Sequence, residues 1–385
     1  MLKAVRDFRT PSVERLLKLW QQRYTHDLSP LLQRNILDYN SLIDADSTEG
    51  RNLTVKKLQD KILNANCQTG WMYTEKLYDY IPNVLDINEA SRITEFSFRI
   101  YRKLLEIYQK QSLVDNSSSI KFSSVESSSI ESLSVELSPD QRLKYVGIPE
   151  IDSLAYSLEP ILLIYQEQHI ASGDWRCLGF MTTHLNFTNQ LILKELEASE
   201  KLLISPYLKF LEEHVVMPWH RVCVAAAKHE INTPQLNLLE KILPAAPQIA
   251  KSVYRKLIEL LPDIRSRRGT LTEAGVIHSS LRDLNMFQAY ILLCCLESSL
   301  NSVERELLPL CIAVVEALGI DWKLTEKWCD VLASELENYV NPEEKAFLEP
   351  YTQGMKALFV RKRYNLGFRG EIKSPPVSFN LSFTP

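Results

Sequence analysis

The sequence predicts an all-α protein built as two helical domains, and three observations carry that reading. Only 11 of the 385 residues are Gly, and alternating β-branched runs are scarce, so there is little material for sheets. Apolar residues recur instead at steps of three and four along most of the chain, the period of a helix with one buried face. Between the helical stretches lies a serine-dominated segment, residues 111–138, whose few apolar residues cannot offset the entropy of ordering it. It predicts a disordered linker between a small domain at 1–110 and a multi-helix bundle at 139–364, with an extended tail at 365–385.

Thr10 followed by Pro11 is a helix start, a side-chain cap with φ preset at the next position. Val13, Leu16, Leu17 and Trp20 then mark one face. Ser29-Pro30 opens a second, short helix, and the acidic stretch 44–52 reads as a loop. Thr54 caps a helix over 55–64, Cys67 to Gly70 reads as a turn, and residues 73–81 form another helix closed by Pro82. A long helix follows over 89–109, with Ile93, Phe96, Ile100, Leu104 and Ile107 inward.

Beyond the serine-rich segment, helices are predicted over 153–168 and 188–203, and Ser205-Pro206 starts the next. Pro218 breaks the stretch 208–229, because a ring nitrogen cannot donate to the preceding turn. Helices over 233–244 and 247–261 are separated by Pro244 and Pro247. Thr270 and Glu273 stand three apart, as a capping box requires, ahead of a helix running to Leu300. From Met286 to Leu296 that helix is apolar nearly all round, which predicts an element enclosed by others. Helices over 302–318, 324–339 and 342–364 complete the bundle. In the tail, Val377, Phe379, Leu381 and Phe383 alternate as in an extended strip held by the bundle or by a partner.

A net charge of -4 gives no global attraction to nucleic acid or anionic membrane. The N-terminus has no apolar leader, and the longest uncharged apolar run is far short of a membrane span. Seven cysteines without a CxxC, mostly inside apolar helical patterns, read as small hydrophobes in a reducing cytoplasm. No glycine-rich phosphate loop, nucleophile elbow, Glu-x-x-His or HExxH is present. With no complete catalytic or cofactor constellation, no cofactor is expected. The chain reads as a non-catalytic regulatory or adaptor protein acting on a protein partner.

Three sets of residues could carry chemistry. Arg265, Arg267 and Arg268 precede a helix start, where free N–H groups and the helix dipole favour an anion or an acidic partner; His278 and Arg282 share one stripe of that helix. Lys56, Lys57, Lys61 and Lys76 fall on the two helices of a helix-turn-helix-like unit, the alternative reading being a DNA-binding regulator. His220 and Cys223, three apart, could face one point as metal ligands, which would suit a helical metal- or cofactor-binding protein. Finally, Leu296 to Ile320, with Glu304, Glu306 and its Ala317-Leu318-Gly319-Ile320 ending, resembles one repeat of the TerB-like helical domain. The Asp-Gly pair of that family is replaced here by Leu300-Asn301 or Ser298-Ser299, so the family's metal-linked acids do not carry over.

Overall fold

A computed structural model describes residues 10–34, 38–78, 87–111, 145–172 and 176–366. The serine-rich segment and the tail beyond Leu366 lie outside these residues. Among the described residues the chain is almost entirely helical, with strands only two residues long. It divides into two compact units, residues 1–230 and 231–385.

The first unit contains α1 (Pro11–Gln22), α2 (Ser29–Gln33), α3 (Tyr39–Asp46), α4 (Thr48–Lys57), α5 (Asp60–Tyr78) and α6 (Ile87–Lys110). After the serine-rich segment come α7 (Ile151–Ser172), α8 (Arg176–Lys194), α9 (Ala198–His214) and α10 (Trp219–Ala226). The predicted start of α1 is present: the Thr10 hydroxyl accepts from the Val13 N–H, with Val13, Leu16 and Trp20 buried. Helices from both sides of the serine-rich segment share one core, because α5 packs on α8, α6 on α7, and α1 on α10. Strand β1 (His26–Asp27) also pairs with β2 (Tyr145–Val146), matching His26 to Val146 and Asp27 to Tyr145. The expected division at residues 111–138 is therefore corrected. The helices on its two sides belong to one unit, and the boundary between units falls after Glu230.

Two local expectations give way to packing here. The stretch 44–52 is helical, with Ser47 ending α3 and accepting from the Gly50 N–H to start α4. The turn at Cys67 to Gly70 does not form, and α5 runs through it without a break. At Gly70 a Cβ would meet the side chain and backbone of Thr188 in α8, so this glycine permits close helix contact rather than a turn. The helix-turn-helix-like unit is thereby replaced by one 19-residue helix.

Gly50 is the tighter case. A Cβ there would collide with the backbone carbonyl of Asp44 and sit 2.8 Å from the Ala45 Cα. Backbone cannot step aside as a side-chain tip can. Gly50→Ala gains about 1 kcal/mol of helix propensity but forces α3 and α4 apart at a cost of roughly 3 kcal/mol. A net loss of about 2 kcal/mol is expected from urea unfolding. An unchanged midpoint would show that the two helices separate freely.

The second unit contains α11 (Pro234–Leu260), β3 (Arg265–Ser266), β4 (Gly269–Thr270), α12 (Ala274–Glu297), a π-helical turn (Val303–Leu307), α13 (Leu308–Leu318), α14 (Trp322–Glu337) and α15 (Pro342–Asn365). Pro244 and Pro247 do not divide α11. Its inward face, from Leu236 through Ile242, Ala246 and Ile249 to Leu257, is buried against α12, α14 and α15. The Gln288 amide donates from α12 to the Ala246 carbonyl at 3.0 Å, inside the proline-bearing turn. Burial of this face outweighs the local cost of each proline. As expected, α12 is enclosed: every residue from Leu284 to Leu296 is buried. Its start differs from the expected capping box, since Glu273 occupies the N-cap and the Thr270 hydroxyl pairs with Thr272 at 2.8 Å. A true capping box opens α15 instead. Asn341 and Glu344 serve each other's backbone N–H groups there, and Lys241 of α11 binds the Glu344 carboxylate at 2.6 and 2.7 Å.

Candidate functional site

The three arginines form the tip of a two-stranded hairpin, with Arg265 paired to Thr270 and Ser266 to Gly269. Arg267 and Arg268 make its two-residue turn, and Gly269 supplies the positive φ of 116° that closes it. The Arg267 N–H donates to the Leu318 carbonyl at 3.0 Å, tying the tip to the C-terminus of α13. Its side chain lies over Gly319, the left-handed cap of that helix, where a cation complements the dipole. Arg268 reaches the first turn of α12 beside Gly275, while the Glu273 side chain lies against Gly269. A carboxylate of the chain itself thus stands at the helix start that the sequence assigned to an external anion. His278 is exposed on α12, and Arg282 binds the neighbouring Asp283 at 2.8 and 3.0 Å.

Of the four lysines, Lys56 and Lys57 lie on α4 and Lys61 and Lys76 on α5. Lys57 binds Glu200 of α9 at 2.8 Å, and with Lys56 it borders a shallow recess of about 560 Å³ that also holds Leu53 and Asp44.

A larger feature is the groove between α5 and α6, about 730 Å³. Trp71, Met72 and Phe98 supply apolar surface, and Glu75 and Glu95 stand on opposite walls. Met72 is 64% exposed and Tyr73 46%, a large apolar display for neighbouring positions on one helix. Trp71 is anchored from behind, 6.3 Å from the buried His184 ring. The sequence reading missed this groove because it broke α5 at residue 67. Only a continuous helix brings Gln68, Trp71, Met72 and Glu75 along one side.

The histidine-rich stretch 212–223 is built into the core of the first unit. Glu213 accepts from Arg23 at 2.7 and 3.0 Å and from the Tyr24 hydroxyl at 2.7 Å. Burial raises the Glu213 carboxyl, but Arg23, together with Lys209 and the Tyr24 hydroxyl, more than offsets that and holds it below its ordinary range. Glu212 accepts from Asn186 at 3.2 Å. His220 Nδ1 bonds the Glu159 carboxylate of α7, with both groups buried. His214 is buried and makes no hydrogen bond with either nitrogen. Burial pushes the Cys223 thiol up to about 12, with Asp152 adding to the shift. His220 and Cys223 lie on the same short helix α10, and both are buried. Among the described residues no three His, Cys, Asp or Glu side chains converge as a metal site. No helix among them is long and apolar enough to cross a membrane. Set against protein-family models, curated proteins and solved structures, the chain matches none.

Proposed function

We propose that this chain is a non-catalytic regulatory or adaptor protein that works by protein–protein contact in the cytoplasm. Its groove between α5 and α6 takes the apolar face of a partner helix. The observation that carries this reading is the groove itself: about 730 Å³ with Trp71, Met72 and Phe98 in its lining. Helix-in-groove recognition uses an apolar slot between secondary elements, and this open groove offers one. Glu75 and Glu95 on its walls favour a partner with basic residues beside its apolar anchors. The hairpin of Arg265, Arg267 and Arg268 supplies a separate contact for an acidic partner segment, supported by the exposure of Arg265 and Arg267. Among the described residues six cysteines are free, five of them buried, which agrees with a reducing compartment.

The test is affinity capture from the native cell, followed by titration of the purified partner against wild type, Met72→Glu and a triple Arg265→Ala, Arg267→Ala, Arg268→Ala variant. Met72 is 64% exposed, so its replacement leaves the fold intact. Met72→Glu is expected to weaken binding at least tenfold, about 1.4 kcal/mol. Equal affinity for wild type and Met72→Glu would remove the groove from the reading. Loss in the arginine variant alone would move the docking surface to the hairpin.

A further inference from the structure

We propose that the exposed face of α7 docks a second copy of this chain, the two helices pairing antiparallel across a two-fold axis at Pro160. This face shares no residue with the groove between α5 and α6. Between residues 153 and 167 the exposed positions of α7 are Ser153, Tyr156, Pro160, Ile164 and Glu167. Their steps of three and four put all five on one stripe of the helix. The outer stripe of a helix in a globular protein is ordinarily charged or polar. Here its three central members are apolar, with Tyr156 64% exposed and Ile164 52%. The carboxylate of Glu159, in the middle of the helix, is turned inward and buried against His220.

The order of residues along the stripe selects the occupant. Tyr156 and Ile164 stand four positions to either side of Pro160, and Ser153 and Glu167 seven. At about 1.5 Å of rise per residue, these are offsets of about 6 and 10.5 Å. A copy laid antiparallel across Pro160 therefore sets Tyr156 against Ile164 of the second copy at both ends of the contact. It also sets each Ser153 hydroxyl, a donor, beside the Glu167 carboxylate of the other copy. A two-fold contact requires such self-complementarity, because both copies present the same patch. A parallel pairing would oppose Glu167 to Glu167, and facing like charges destabilise a contact. Ser157, half-buried beside Pro160, is small enough for the two helix axes to approach closely.

The area sets the strength. Two exposed side chains and their half-buried neighbours supply far less than the roughly 800 Å² per partner of a standard interface. The dimer is therefore weak, formed and lost with concentration.

The test is sedimentation velocity of the full-length protein from about 5 to 500 µM, the range in which small contacts dissociate. The weight-average mass should rise from that of one chain towards that of two. Tyr156→Lys and Ile164→Glu should each weaken self-association at least tenfold. Both positions are exposed, so the helical circular dichroism should not change. Mixed in equal amounts, the two variants should recover the dimer, since antiparallel pairing sets the new cation of one against the new carboxylate of the other. Met72→Glu, in the groove, should associate as wild type does. A single-chain mass across the whole range would overturn the proposal, as would undiminished association of both variants. A mixture that stays monomeric would overturn the antiparallel contact at Pro160, and loss of association in Met72→Glu would move the contact to the groove. Should a charged variant lose helicity, Tyr156→Ser decides, with the same tenfold loss expected.

Discussion

Asp46→Ala is expected to lower the stability of the first unit by about 3–5 kcal/mol, because it strands a charge in the core. Arg51 on α4 and Asp46 on α3 are each 0% exposed. The Asp46 Oδ1 accepts from Nε at 3.0 Å and from Nη2 at 2.6 Å, and Nη1 donates to the Tyr108 carbonyl of α6 at 2.8 Å. The guanidinium also lies 4.3 Å from the centre of the Tyr108 ring. Burial opposes the charge, but Tyr207, Asp46 and Tyr108 offset it, so the group stays protonated throughout. Without Asp46 the cation keeps the Tyr108 carbonyl and ring face and the Tyr207 hydroxyl, none of which is a carboxylate. Asp46→Asn keeps an acceptor and should cost less. Asp46→Ala combined with Arg51→Met removes both charges and should recover most of the loss, since a buried pair exchanged for apolar side chains is often close to neutral. Hydrogen exchange of the α4 and α6 amides reads the effect in this unit alone. A loss below about 1 kcal/mol in the single variant would mean that water reaches the guanidinium.

None of this was legible in the sequence, although the helices around it largely were. The period of apolar residues located α1, α6, α12, α14 and α15, since each buries one broad face or, in α12, nearly every face. The misreadings cluster where a local signal has two physical causes. Gly70 suits a turn, and equally suits the point where two helices touch most closely; only Thr188, 118 positions later in the chain, decides between them. Pro244 and Pro247 should end a helix, yet the buried face of α11 extends through both. The division at the serine-rich segment failed for a related reason. Composition shows that a segment cannot build a core, but not whether the helices on its two sides share one. The candidate sites were less legible still. The sequence drew attention to His220 and Cys223 by their spacing, whereas the partner that fixes His220 is Glu159, 61 residues earlier. The exposed groove is formed by α5 and α6 jointly, and no spacing within either helix announces it.

Acidification from pH 7 to pH 5 should cost the first unit about 4 kcal/mol, from two histidines. Burial pushes His214 down to about 3, with the His220 charge adding to the effect. Burial pushes His184 down to about 4, against a smaller opposite pull from the Gly70 backbone. In the unfolded chain both imidazoles titrate near 6.5. Between about 6.5 and 4 the unfolded state therefore binds two protons that the native state excludes, and stability falls as pH falls. Each proton contributes about 1.4 kcal/mol per pH unit, hence about 2 kcal/mol per histidine at pH 5. Carboxylates do not blur this window. Glu213 and Glu200, which their cationic partners hold below the ordinary range against the opposing pull of burial, begin to lose their stabilisation only below about 4.5. Free energies of opening from hydrogen exchange at α8 and α9, taken at half-unit steps, should rise steeply from pH 5 and level off near pH 7. His214→Phe keeps an aromatic ring against Phe210 and removes one of the two protons, so it should halve the slope while leaving His184 to supply the rest. A flat profile between pH 5 and pH 7 would show that both rings are solvated in the native protein, and that would take with it the dry core in which His214 stands.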